Sequence, residues 1–165
     1  MSSKKKFGSL FAWALDPDRQ HRLNVLKKVP LLRGISHKLL RKLMMDLIEK
    51  EYAAGESVFR EGETGKALYI LIDGSVSILK QQNGGEKTLA VLGPGTHFGE
   101  LALVSEEPRF ASAVAATDSR ILIMYKAYFD GLIRTNSPIS SRVLLNLAGT
   151  LIHYLHCADG ADMQS

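Results

Sequence analysis

The sequence predicts a mainly β protein with flanking helices: an antiparallel β-roll of the double-stranded β-helix, or jelly-roll, type, set between N-terminal helices and one long C-terminal helix. Three observations predict it. From about residue 52, short apolar runs alternate with Gly-containing turns at even spacing, the pattern of small antiparallel strands. Before them, Leu39, Leu40, Leu43, Met44, Leu47 and Ile48 recur at helical spacing with Lys38, Arg41, Lys42 and Asp46 between them, so one helix face is buried. After Ser137-Pro138, apolar residues recur at helical spacing again.

The elements follow in order. Residues 1–28 form a basic and aromatic tail plus a first helix. The tail combines Lys4, Lys5 and Lys6 with Phe7, Leu10, Phe11 and Trp13. Contact of residues 1–15 with an anionic lipid surface is one reading; a tail that is frayed, or packed back on the domain, is the preferred one. Asp16-Pro17 is an N-cap followed by Pro at the first helical position, which starts a helix over about 17–27. Pro30 stops it, and Ser36 caps the next helix. Residues 29–156 make one folded unit, with the roll over about 55–125. Its strands are Ser57 to Phe59, Ala67 to Ile72, Val76 to Leu79, Thr88 to Leu92, Ala111 to Ala116 and Ile121 to Tyr125. Glu100 to Val104 has a helix-like composition. In the C-terminal helix, about 138–156, Leu144, Leu147, Leu151 and Tyr154 form one stripe; Leu145, Ala148, Ile152 and Leu155 form a second. A helix apolar on two sides has two things to cover. One stripe can lie on the roll, and the other can face a ligand or a second copy of the helix. Residues 157–165 are a short tail.

Composition sets bounds on function. The chain has 165 residues, 45% hydrophobic and 23% charged, as expected for one globular domain. Its net charge is +4, but the basic residues beyond the N-terminal run are scattered, unlike the basic face of a nucleic-acid binder. Cys157 is the single cysteine, so no intrachain disulfide forms and a reducing, cytoplasmic location is expected. No apolar run approaches the ~18 residues of a membrane span.

The stretch that carries chemistry is Phe98-Gly99-Glu100-Leu101-Ala102-Leu103, followed by Pro108-Arg109. Gly99 lets another group approach the backbone closely. The short helix after it offers free N–H groups to an anion. Arg109 supplies a planar fork matched to phosphate oxygens, and Glu100 can accept from a hydroxyl. A structural Glu100–Arg109 salt bridge is an equal reading of these residues alone. Pro94-Gly95-Thr96-His97 resembles the metal-bearing turn of the cupins, but His97 has no second His near it, and a site of that kind needs two or three. It is read as an ordinary polar residue at a strand start, with no metal, no cofactor and no catalytic residue assigned.

The cassette Phe98 to Leu103 with Pro108-Arg109 resembles the phosphate-binding cassette of the cyclic-nucleotide-binding domain family, which includes regulatory subunits of cAMP-dependent kinase, cyclic-nucleotide-gated channels and catabolite activator proteins. Val29-Pro-Leu-Leu-Arg-Gly34, Arg60-Glu61-Gly62-Glu63, Leu68 to Val76 and Gly93-Pro94-Gly95 also fall where that family has its turns and strands. The resemblance covers about residues 29 to 156. It implies a regulatory sensor, not an enzyme, whose ligand is cAMP or cGMP. Gly99, Glu100, Leu101 and Ala102 would line the phosphoribose pocket, with Glu100 toward the ribose 2′-hydroxyl and Arg109 on the cyclic phosphate. Ile78, Leu89, Ala90 and Phe98 would form apolar walls near the base, and Thr150 and Tyr154 on the C-terminal helix would cap it. One position departs: the family usually has a small residue after the arginine, where this chain has Phe110, and Ala111-Ser112 restores the pattern in part. Phe110 can stack on a purine, fill the pocket and leave a ligand-free interaction module, or point away. Because the family uses this position to separate cAMP from cGMP, base preference stays open. A homodimer through the C-terminal helix and an unidentified effector protein are the expected partners. Catabolite-activator relatives carry a helix-turn-helix after the long helix, for which too few residues follow Leu155, so direct DNA binding is not expected.

Overall fold

Asp16 opens the described part of the chain: its carboxylate accepts from the backbone N–H of Asp18 at 3.1 Å and of Arg19 at 3.4 Å, and Pro17 takes the first helical position. The structure, a computed structural model, describes residues 16–162. The expectations for residues 1–15 lie outside the described residues. Helix α1, Pro17–Leu26, buries Leu23, Val25 and Leu26. A 3-10 turn, Pro30–Leu32, buries Leu31 and Leu32. Helix α2, His37–Asp46, is capped by Ser36, whose Oγ accepts from Leu39 N–H.

Strand β1, Ile48–Tyr52, pairs antiparallel with strand β8, Ser119–Tyr125. Ile48 therefore begins a strand instead of ending α2. The helix stops because Leu47 turns to extended backbone, with ψ 148. Strands β2 (Ser57–Phe59), β3 (Ala67–Asp73), β4 (Val76–Gln82), β5 (Gly85–Leu92), β6 (His97–Phe98) and β7 (Ser112–Ala115) complete the roll. They form two four-stranded sheets, ordered β1-β8-β3-β6 and β2-β7-β4-β5, and every strand pair is antiparallel. The expected architecture of flanking helices around an antiparallel roll is the observed one.

Strand β3 explains how the layers join. Leu68, Ile70 and Ile72 point to the helices and pack with Leu23, Leu26, Leu43, Leu103, Phe129, Ile139, Val143 and Leu147. Ala67 and Leu71 point the other way, into the roll, with Tyr52, Val76, Phe98, Ala113, Ile121 and Ile123. A strand covered on both faces needs apolar residues at every position, which is why this run does not alternate. Each fully buried Leu or Ile in these layers contributes about 1.5–3 kcal/mol.

Two helices follow β8. Helix α3, Lys126–Arg134, takes in Asp130-Gly131. The joint to α4 is Thr135 to Ser137, and Asn136 there has φ 50, the one positive φ at a non-glycine residue among the described residues. Helix α4 runs Pro138–Asp162, so the segment after 156 continues as helix. Ile139, Val143 and Leu147 are its buried apolar side chains. Leu144, Leu145, Leu151, Ile152 and Leu155 are exposed, so Leu144 and Leu151 share a face with the second stripe and Leu147 alone of the first stripe's leucines is core. Asn146 fixes α4 to the body by donating to the Leu31 and Arg33 carbonyls, both at 2.9 Å. Among the described residues no helix is long and apolar enough to cross a membrane.

An ion-pair clasp ties α1 to the first sheet. Arg120 on β8 pairs with Asp73 and Asp18, both at 2.7 Å, and Arg22 pairs with Asp18 at 2.8 Å and Glu49 at 2.7 Å. The hydrogen bond from Arg120 holds the Asp18 carboxyl below its ordinary value. At Asp73 desolvation works in the opposite sense, and hydrogen bonds from His21 and Arg120 outweigh it.

Candidate functional site

Strand β6 brings the chain to Gly99, whose φ of +72 turns it into the 3-10 helix Glu100–Leu103. A side chain at 99 would be strained there, and its Cβ would also lie 2.6 Å from an Arg109 guanidinium nitrogen. The loop between β2 and β3 closes on the same place. Gly62 N–H donates to the Arg109 carbonyl at 2.9 Å, and Arg109 N–H donates to the Glu63 carbonyl at 2.7 Å. Gly65 lets this loop pack tightly, since a Cβ on it would stand 2.9 Å from the Ala102 side chain.

Arg109 is 9% exposed. Its guanidinium donates to the Ala67 carbonyl at 2.7 Å and to the Gly99 carbonyl at 3.0 Å. It lies 4.1 Å above the Phe59 ring and 5.6 Å from the Tyr69 ring. Phe59, Tyr69 and Phe98 form one aromatic group, with centroids 5.3 to 6.0 Å apart. Burial lowers the arginine's pKa, and neighbouring Tyr69 and Glu100 act against that.

Glu100 is 7% exposed. Its Oε1 accepts from the Tyr154 hydroxyl of α4 at 3.2 Å. Burial and the Glu100 charge push the Tyr154 phenol up to about 12. No Glu100–Arg109 ion pair within 4.0 Å exists among the described residues, so the salt-bridge reading is corrected: Glu100 is held by a phenol, and Arg109 by carbonyls and rings.

The other expected residues fall into place unevenly. Ala102 and Ala111 are buried, while Leu101 is 44% exposed. The Phe110 ring is 71% exposed and does not fill the roll. Lys80 holds it outward. The ammonium lies 4.1 Å over the ring and donates to the Phe110 carbonyl and to Glu61, both at 2.6 Å. Ser112 Oγ accepts from Glu61 N–H at 2.9 Å. Ile78 pairs with Ala90 across β4 and β5; Ile78 is half-buried against the roll core, and Leu89 and Ala90 are exposed. Thr150 bonds back to the Asn146 carbonyl of its own helix at 3.2 Å, so only Tyr154 of the two α4 residues reaches the cassette through a hydrogen bond. His97 is half-buried, its Nδ1 has no partner, and burial lowers its pKa. No group of three His, Cys, Asp or Glu side chains able to hold a metal occurs among the described residues. Sequence reading missed Phe59, Tyr69, Gly65 and Lys80. Phe59 stands one residue before the Arg60-Glu61-Gly62-Glu63 turn, the one signal that could have placed it beside Arg109.

The frame and the cassette together decide the family. Residues 49–136 match the sequence profile described as "Cyclic nucleotide-binding domain". The chain belongs to that family. It is 36% identical over 135 residues to the cyclic AMP receptor protein of Thermus thermophilus, covering 81% of this chain and 61% of that protein. The crystal structure of the Thermus thermophilus catabolite activator protein is similar at TM-score 0.73 and 35% identity, covering 81% of this chain and 62% of that one. A co-crystal structure of the regulatory domain of Toxoplasma gondii PKA with cAMP is similar at TM-score 0.65 and 28% identity, covering 70% of this chain and 44% of that one. The chain thus spans less than two thirds of the length of these relatives.

Proposed function

We propose that this domain is a regulatory sensor that binds cAMP or cGMP reversibly and without chemistry. The carrying observation is that Arg109 and the Gly99-Glu100 turn, ten residues apart in sequence, are held against each other by the Arg109–Gly99 hydrogen bond. A cyclic phosphate would take the donors of the Arg109 fork that do not face the two carbonyls, together with backbone N–H groups of the cassette. The ribose 2′-hydroxyl would donate to Glu100. Ile78, Leu89, Ala90 and Phe98 would flank the base, with Phe110 at its rim. Structural relatives that hold cAMP support the ligand class. Isothermal calorimetry with cAMP and cGMP tests the reading, with one site per chain expected for at least one of them.

A ligand-free interaction module is the second reading. The bonds from Arg109 to the Ala67 and Gly99 carbonyls favour it, because a structural arginine is satisfied in this way. The same titration decides, since this module gives no heat with either nucleotide.

The exposed α4 face is proposed as a dimer contact with a second copy. Leu144, Leu145, Leu151, Ile152 and Leu155 lie on it, and the sequence from Val143 to Leu155 contains no Asp, Glu, Lys or Arg, so two copies meet without like-charge repulsion. Leu145→Glu should shift the mass measured by light scattering from dimer to monomer. A wild type that is monomeric at high concentration refutes it.

A further inference from the structure

Two polar side chains fix α4 to the rest of the fold at separate points. Asn146 bonds the Leu31 and Arg33 carbonyls, and Tyr154, two turns later, bonds the cassette carboxylate of Glu100. The Glu100 side chain forms no other hydrogen bond among the described residues. A carboxylate taken from water needs donors to remain charged and fixed. Its terminal torsion is soft and roughly two-fold, so one donor on one oxygen sets where the other oxygen points. A tyrosine phenol is protonated near neutral pH, so Tyr154, 3.2 Å from Glu100 Oε1, is a donor. The contact is to the carboxylate, which gives Tyr154 a different job from capping a base.

We propose that Tyr154 is a positioning residue: its hydroxyl holds one oxygen of Glu100 so that the second faces a ligand sugar hydroxyl, and the domain's preference for a 2′-hydroxyl therefore depends on α4. The inference rests on the reading of Glu100 as acceptor for the ribose.

The test compares cAMP with 2′-deoxy-cAMP by calorimetry on the full chain, as wild type and as Tyr154→Phe. The variant should lose affinity for cAMP roughly 5- to 10-fold, the size of one typical hydrogen bond, and bind 2′-deoxy-cAMP within about twofold of wild type, since that ligand does not use the positioned oxygen. On a Glu100→Gln background, Tyr154→Phe should leave the ratio of the two affinities unchanged. A Tyr154→Phe protein that weakens both nucleotides equally, or neither, overturns the inference while leaving cyclic-nucleotide binding intact. Wild type that binds neither cAMP nor cGMP overturns the proposed function and this inference with it; where it binds cGMP alone, cGMP and 2′-deoxy-cGMP take the place of the cAMP pair.

Discussion

Arg109 and Glu100 belong to one site but are held in opposite ways. The roll grips Arg109 from every side: Ala67 and Gly99 carbonyls on the guanidinium, Phe59 beneath it, and Gly62 and Glu63 on its backbone. Glu100 is held through its side chain by a single phenol from α4. The difference separates a rigid half, suited to hold a phosphate, from a responsive half whose geometry depends on a helix. A ligand regulates only if it favours one of two arrangements, and the responsive half is where two arrangements can differ.

The largest effect should come from breaking the rigid half. Arg109→Ala should reduce cyclic-nucleotide affinity at least ~100-fold, since charge-assisted bonds are worth ~1.5–3 kcal/mol each. The same change removes the donor from two carbonyls, so it should also lower stability by roughly 1–3 kcal/mol, measured by urea unfolding. Affinity equal to wild type would place the phosphate elsewhere.

A middle-sized effect should come from Phe59→Leu. It removes the ring under the guanidinium while keeping an apolar side chain, and a cation–π contact is worth ~0.5–1 kcal/mol when exposed and ~2 kcal/mol or more when desolvated. Affinity should fall about 3- to 30-fold, a loss of ~0.6–2 kcal/mol, and Phe59→Tyr should restore it. No loss would mean that the two carbonyls alone orient Arg109.

The smallest effect concerns the clasp on α1, remote from the cassette. Asp18 and Asp73 are held below the ordinary carboxylate value of 3.8. Each therefore contributes stability above that value and loses it as pH falls through its lower folded value. These groups are mostly solvated, so the contribution is small. Arg120→Ala should lower Tm by about 2–4 °C at pH 7, and the gap between variant and wild type should close below about pH 4. A gap of the same size at pH 2.5 would show that Arg120 acts by packing alone.

What was legible in the sequence follows the same division. The Gly-containing turns marked the roll because each turn interrupts a short apolar run, and Gly99, Glu100 and Arg109 stood out by residue type and spacing. Strand β1 was hidden, because Ile48-Glu-Lys-Glu-Tyr52 is mostly solvent-exposed and buries only Tyr52; its partner β8 supplies the order. Helix α3 was hidden by Gly131, which reads as a break although Phe129 anchors the helix in the core. The platform under Arg109 depends on β2 and β3 meeting at one point, and no one-dimensional period carries that. The expected split of α4 into two stripes placed Leu147 beside Leu144 and Leu151, but α4 turns its outer leucines away from the body, and only the docked body decides which face that is.

Hydrogen exchange with and without saturating cAMP or cGMP tests the comparison most directly. Nucleotide should raise protection in residues 99–104 and in 138–156 together, because the cassette and α4 share the Tyr154–Glu100 contact. Protection confined to 99–104 at full occupancy would contradict a responsive half coupled to α4, and no change in either segment would contradict binding at this cassette.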